Sequence, residues 1–202
     1  RTYALALVAA LESTSDYPGA HDEQLPAISK LPVLVARQIE NTELNDMVTS
    51  AIKVTNNAPR AIDYGQVSAA TLRELILGQP VEAAIAAGLK AASATTCEHL
   101  TAVLNETASV SEVTSKYGLN CDLGCGVASV LYNLRSATSF AQAMRQNILA
   151  GGDNCGRAIM LGAACGAHFG FDGDHGIPAA WLDRLTLKDS LLADIERLFN
   201  EV

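Results

Sequence analysis

The sequence predicts an all-α fold. Apolar residues recur at helical spacing along nearly all of the 202-residue chain, and alternating β-branched runs of strand length are missing. Composition agrees, because 49% of residues are hydrophobic while only 5% are aromatic, a globular make-up rich in helix formers. This length can bury a substantial core and sets the expectation of a single helical domain over 1–202.

The elements follow in order. A helix over 2–13 opens on the apolar run 4–11 directly behind Arg1-Thr2-Tyr3, with no initiator Met, so further sequence is expected upstream of Arg1. Helices over 26–40 and 43–55 come next. Pro59, behind the polar pair Asn56-Asn57, reads as the first-turn proline of a helix over 59–77. Gly78 and Pro80 read as a stop and a restart before 81–92. Helices over 97–107, 109–116, 126–135 and 139–150 continue the pattern. Over 154–169 the small residues Ala158, Gly162, Gly166 and Gly170 form a row that would admit a neighbouring helix closely, as expected of the central buried helix of an orthogonal multi-helix bundle. Pro178 opens 178–185. In 188–200 the residues Leu187, Leu191, Leu192, Ile195, Leu198 and Phe199 share a face, with Asp194, Glu196 and Arg197 largely opposite, the pattern of a surface helix packed on a core. No low-complexity linker or fixed-period repeat divides the chain.

A net charge of -8 repels nucleic acid and anionic membrane, and no basic patch offsets it, so neither is expected as a partner. The longest apolar run, 158–170, is too short for a bilayer span and is interrupted by Gly162, Gly166 and His168, so the chain reads as soluble. Its five cysteines are odd in number and sit in apolar or Gly-rich segments, unlike a secreted disulfide framework. A reducing, cytoplasmic setting with free thiols is expected.

Chemistry concentrates in Gly151-Gly152-Asp153-Asn154-Cys155-Gly156-Arg157, which joins two expected helices. Two glycines permit a tight turn, and Asp153 falls where an N-cap would accept backbone N–H groups. His21-Asp22-Glu23 is a polar triplet in a Gly/Pro-flanked loop, read as a solvated cluster, with acid–base chemistry as the alternative. Cys121-x-x-x-Cys125, with Asp122 and Cys155, could bind a soft metal but lacks the tighter pairing of zinc sites, so buried or loop thiols are expected. His168 reads as a core or boundary residue. His175, in the segment 172–176, reads as part of a solvated turn, since a calcium loop needs more oxygen ligands.

The block 151–170, followed by Gly176-Ile177-Pro178 and Trp181-Leu182-Asp183-Arg184-Leu185, resembles the last conserved block of the ADP-ribosylglycohydrolase family. The resemblance extends back through Gly124-Cys125-Gly126-Val127 and 138–150 to Leu25-Pro26-Ala27 and 56–78. It implies an all-α fold of that type, an ADP-ribose-like small-molecule ligand and a binuclear magnesium or manganese site. Carried over by position, it makes His21, Asp22, Gly124, Gly126, Gly151 and Gly152 candidate substrate contacts and Asp153 the remaining metal ligand.

Active members read Gly-Gly-Asp-x-Asp-Thr in this turn. Here Cys155 stands for the second carboxylate and Gly156 for the hydroxyl, and hard Mg²⁺ accepts thiolate poorly. The family's Thr-Asp-Asp-Thr-like motif is not found in this sequence and would lie upstream of Arg1, so an upstream segment of the same protein is the implied partner. His21-Asp22-Glu23-Gln24 stands for the family's Gly-Asn-Gly-like substrate loop. With Cys155, that stretch is similar to the branch holding the J1-crystallins and selenoprotein J. The resemblance therefore implies a structural or divergent protein, a pseudoenzyme with a vestigial metal turn. The alternative is a working magnesium-dependent hydrolase that removes ADP-ribose from protein or small-molecule acceptors, with magnesium as cofactor only in that case.

Overall fold

A computed structural model describes residues 19–200. The helix expected over 2–13 lies outside them. Among the described residues there are eleven α-helices and no strand. Pairing of β type is confined there to three isolated bridges, Ala20 with Asn56, Gln24 with Asp122 and Phe171 with Ile177.

The helix expected over 26–40 is broken. A 3-10 turn covers Leu25–Ile28, and α1 starts afresh over Leu31–Arg37. Pro26 and Pro32 each occupy a first turn, and Pro32 has no N–H with which to continue a ladder from residue 28. Helix α2 (Leu44–Lys53) leads to α3 (Pro59–Ile76), with Pro59 at its start as the sequence predicts. Gly78, at φ 78°, ends that run, and α4 (Val81–Ala91) folds back along α3. The two helices come close at Gly88, where an added Cβ would lie 3.0 Å from the Val67 carbonyl oxygen.

Helix α5 (Ala94–Leu104) starts three residues before the expected 97, because Ser93 caps it by accepting the Thr96 N–H. Ser109 and Glu112 form a reciprocal capping box at α6 (Val110–Tyr117). Helix α7 (Leu123–Ser136) likewise begins before the expected 126, since Asp122 accepts the N–H groups of Gly124 and Cys125. Then come α8 (Phe140–Leu149), α9 (Asn154–Phe169), a short α10 (Ala179–Leu182) and α11 (Lys188–Asn200). Tyr64, Val67 and Leu72 of α3, Leu123, Val127 and Leu131 of α7, and Met160, Leu161 and Cys165 of α9 belong to one continuous core. Helix α9 packs on α3, α7 and α8.

Three expectations are corrected. The row Ala158, Gly162, Gly166, Gly170 does not receive a helix among the described residues: nothing there lies within 4 Å of a Cβ built at Gly162 or Gly170, and Gly166 meets only Ile177. The buried stripe of α9 runs instead through Arg157, Met160, Leu161, Ala164 and Cys165. Its centre lies about 150° round the helix from that of the small-residue row, which is left at the rim. His168 is exposed and stands edge-on to Phe169, so it is no core residue. Helix α11 has no buried residue, and Leu187, Leu191, Leu192, Ile195 and Phe199 are exposed. Amphipathic spacing identifies an apolar face without identifying what covers it.

Candidate functional site

The site is assembled where loop 21–24 meets the start of α7, and the Gly151–Asp153 turn is tied to Leu119 just before it. Backbone bonds join loop and helix: Leu25 N–H donates to Cys121 O at 2.8 Å and Leu123 N–H to Glu23 O at 3.0 Å. His21, Asp22, Glu23 and Gln24 thereby share an open cleft of about 400 Å³ with Asn120, Cys121 and Asp122. The triplet is not a uniformly solvated cluster. His21 is exposed, Asp22 is buried, and the side chain of the fully buried Asn56 donates to Asp22's carbonyl oxygen at 3.2 Å. Glu23 is held by Arg60 at 3.0 Å.

Arg60 is the electrostatic centre of this region. From the first turn of α3 it donates to both carboxylate oxygens of Asp122, at 2.6 and 3.0 Å, while its guanidinium stacks over the Tyr64 ring. The Asp122 bond raises the Arg60 pKa above its ordinary value, against the opposing effect of burial. Burial alone would push Asp122 up, but hydrogen bonds from Arg60 and from the Cys125 and Gly124 N–H groups outweigh it and hold the carboxyl below its usual range. Beside this node a second open cleft of about 680 Å³ is lined by Arg60, Asp63, Tyr64, Ser93, Thr96 and His99. Cys125 donates its thiol to the Tyr117 carbonyl, 2.9 Å away. Burial, then the neighbouring Asp122 charge, raises its pKa.

Gly124 and Gly126 are packing positions. A Cβ at Gly124 would meet Asp122 Oδ1 at 3.0 Å and Tyr64 Oη at 3.1 Å, and one at Gly126 would lie 2.7 Å from Leu25 Cδ1. The Leu25 side chain also lies 3.0 Å from a Cβ built at Gly156, so it separates the start of α7 from the start of α9. Gly151 and Gly152 adopt φ of 71° and 60°, the left-handed conformation that glycine accepts without strain. Gly152 abuts Leu119, whose carbonyl accepts the Asp153 N–H at 2.9 Å. The turn is therefore tied to the segment just before Asn120 and Asp122.

Asp153 is the N-cap of α9, with its Oδ1 accepting the Gly156 N–H at 2.9 Å. Its carboxylate folds back over Gly156, where a Cβ would lie 2.9 Å from Asp153 Cγ and closer still to Oδ2. Cys155 is exposed, and its thiol reaches only Asn154 Oδ1 at 3.9 Å. These residues do not fit a magnesium site: one carboxylate oxygen is committed to the cap, the next donor is a soft thiol, and Gly156 brings no donor. No group of three or more His, Cys, Asp or Glu among the described residues could hold a metal ion. The turn lies outside both clefts.

Two arginines have roles that residue patterns left invisible. Arg60 is drawn to its carboxylates only by the tertiary fold. Arg157 is a single charge in the Ala/Gly-rich α9, and that contrast was the available signal. It is 2% exposed, donates from Nε to Asn147 Oδ1 at 2.9 Å, and grips the Gly151 carbonyl through Nη2.

The thiols are unpaired among the described residues, with Cys155 exposed and Cys165 buried. No helix there is long and apolar enough to cross a membrane. Asp172, Gly173, Asp174 and His175 are exposed, as expected for a turn.

Comparison with known proteins agrees with this architecture. The sequence matches the family model described as ADP-ribosylglycohydrolase over residues 3–202. A solved structure described as an ADP-ribosylglycohydrolase-related protein complex superposes with a TM-score of 0.84 at 22% identity, covering 98% of this chain and 68% of that one. At that identity the likeness establishes the fold. No curated protein matches the chain.

Proposed function

The chain belongs to the ADP-ribosylglycohydrolase family, and from that membership we propose a structural or divergent role of the J1-crystallin type, with the family's metal turn degraded. The observation that carries this reading is the position of Asp153. Its carboxylate caps α9 over a residue without a side chain, with a thiol where the second carboxylate belongs. Mg²⁺ surrenders its waters reluctantly and needs oxygen donors in near-octahedral array, so one carboxylate already sharing its charge with a backbone N–H holds it poorly. The same residues support an ADP-ribose-like ligand only weakly. Gly124 and Gly126 are closed against Tyr64 and Leu25, and in the cleft fronted by His21 and Asp22 the one arginine at hand, Arg60, is already engaged by Glu23 and Asp122 and so is not free for a pyrophosphate.

The second reading is a hydrolase completed by an upstream segment that supplies the missing oxygen donors. Magnesium and manganese titration by calorimetry, run beside an ADP-ribose release assay, separates the two. The structural reading expects neither tight binding nor turnover. Tight binding of two ions with metal-dependent release of ADP-ribose would establish the hydrolase instead.

A further inference from the structure

The larger cleft beside Arg60 plays no part in the reading above. Its volume of about 680 Å³ falls in the range of small-molecule sites, and it opens between the first turns of α3 and the start of α5. Pro59, Ile62 and the buried Tyr64 give it an apolar lining. The His99 ring, which also lines it, is held edge-on to Tyr117 with centroids 5.9 Å apart.

Charge decides what this space accepts. Arg60 lines the cleft, but its guanidinium is shared by Asp122 and Glu23, two carboxylates for one cation. One turn further along α3 stands Asp63. Its oxygens accept the Ser93 N–H at 2.8 Å and the Ser93 hydroxyl at 2.6 Å, and no Lys, Arg or His among the described residues forms an ion pair with it. An ionised carboxylate has about four acceptor positions, so Asp63 can take further donors. The cleft thus combines an apolar lining with surplus negative charge, the complement of an organic cation that carries an apolar body.

We propose that this cleft binds a small protonated amine with an aromatic or aliphatic body, its ammonium donating to Asp63 while the body lies against Pro59, Ile62 and His99. Asp63 also orders the wall, because Ser93, which it holds, caps α5 by accepting the Thr96 N–H at 3.4 Å. The Gly151–Asp153 turn lies outside the cleft, so the inference stands apart from the question of a metal there and from the proposed function.

Titration of the full chain at pH 7 with phenethylamine, phenethyl alcohol and phenylacetate, followed by amide NMR shifts, tests this. The amine should give saturable shifts confined to residues 59–66 and 93–99, with the neutral alcohol about fivefold weaker and the anion weaker still. Added NaCl should weaken the amine and leave the alcohol unchanged. Asp63→Asn keeps an acceptor oxygen for Ser93 and should weaken the amine about fivefold, again without effect on the alcohol. Should that variant not fold, the ligand series and the salt dependence in the parent protein decide the matter. Equal affinity for amine and alcohol, preference for phenylacetate, shifts centred outside the cleft, or amine binding indifferent to Asp63→Asn would overturn the proposal.

Discussion

Asp122 performs two jobs that substitution can separate. It caps α7 through the Gly124 and Cys125 N–H groups at 2.8 and 3.2 Å, and it pairs with Arg60 in a two-pronged ion pair. Losing the cap costs about 1 kcal/mol. The ion pair is more than a quarter exposed on both sides, 37% for Arg60 and 30% for Asp122. Solvent screening therefore limits its contribution to about 0.5–1 kcal/mol. Asp122→Ala should remove both, roughly 2 kcal/mol, or about 4–8 °C in melting temperature for a chain of this size. Asp122→Asn keeps a good cap and should lose only the ionic part, less than half as much. Calorimetry across pH tests the sign. Because the folded carboxyl is held low, the ionic contribution is present above the unfolded value of about 3.9 and fades as pH falls through the lower folded value. The gap between Asp122→Asn and the parent should therefore close in acid. Equal losses in the two variants at neutral pH, or a gap that widens in acid, would refute this division of labour.

Other outcomes follow from the same geometry. Gly126→Ala drives a methyl into Leu25 and should destabilise by about 1–3 kcal/mol in urea unfolding; a neutral result would mean that Leu25 moves freely. Leu161→Ala, at a fully buried position of α9, should cost about 2–5 kcal/mol by the same assay. Burial pushes the Cys165 thiol up to about 12, so iodoacetamide should label exposed Cys155 in the native protein and Cys165 only after denaturation, as read by peptide mass spectrometry. Cys155→Asp with Gly156→Thr restores two donor types, but the threonine Cβ collides with the folded-back Asp153 carboxylate. Calorimetry of this double variant should show lowered stability and no gain of Mn²⁺ affinity.

Sequence alone determined the helical class, the start of α3 at Pro59, the limits of α9 and the cap at Asp153, because each depends on neighbours within a turn or two: apolar period, proline, glycine and a capping carboxylate. The block from Gly151 to Leu185 also carried the family. Where the sequence reading fell short locally, at Pro32, Ser93 and Asp122, the deciding signals were a second proline and two caps that apolar spacing does not weigh. Only the tertiary structure decided that Arg60 binds Asp122 across 62 positions, that Asp22 is buried against Asn56, and that Arg157 lies beneath the turn with Asn147. It also decided which stripe of α9 is buried and left the small-residue row at the rim. Periodicity fixes the angle between stripes on a helix, but the partner each one meets depends on how distant segments pack, and a charge inside an apolar helix shows its role only when the oxygens it bonds are brought beside it.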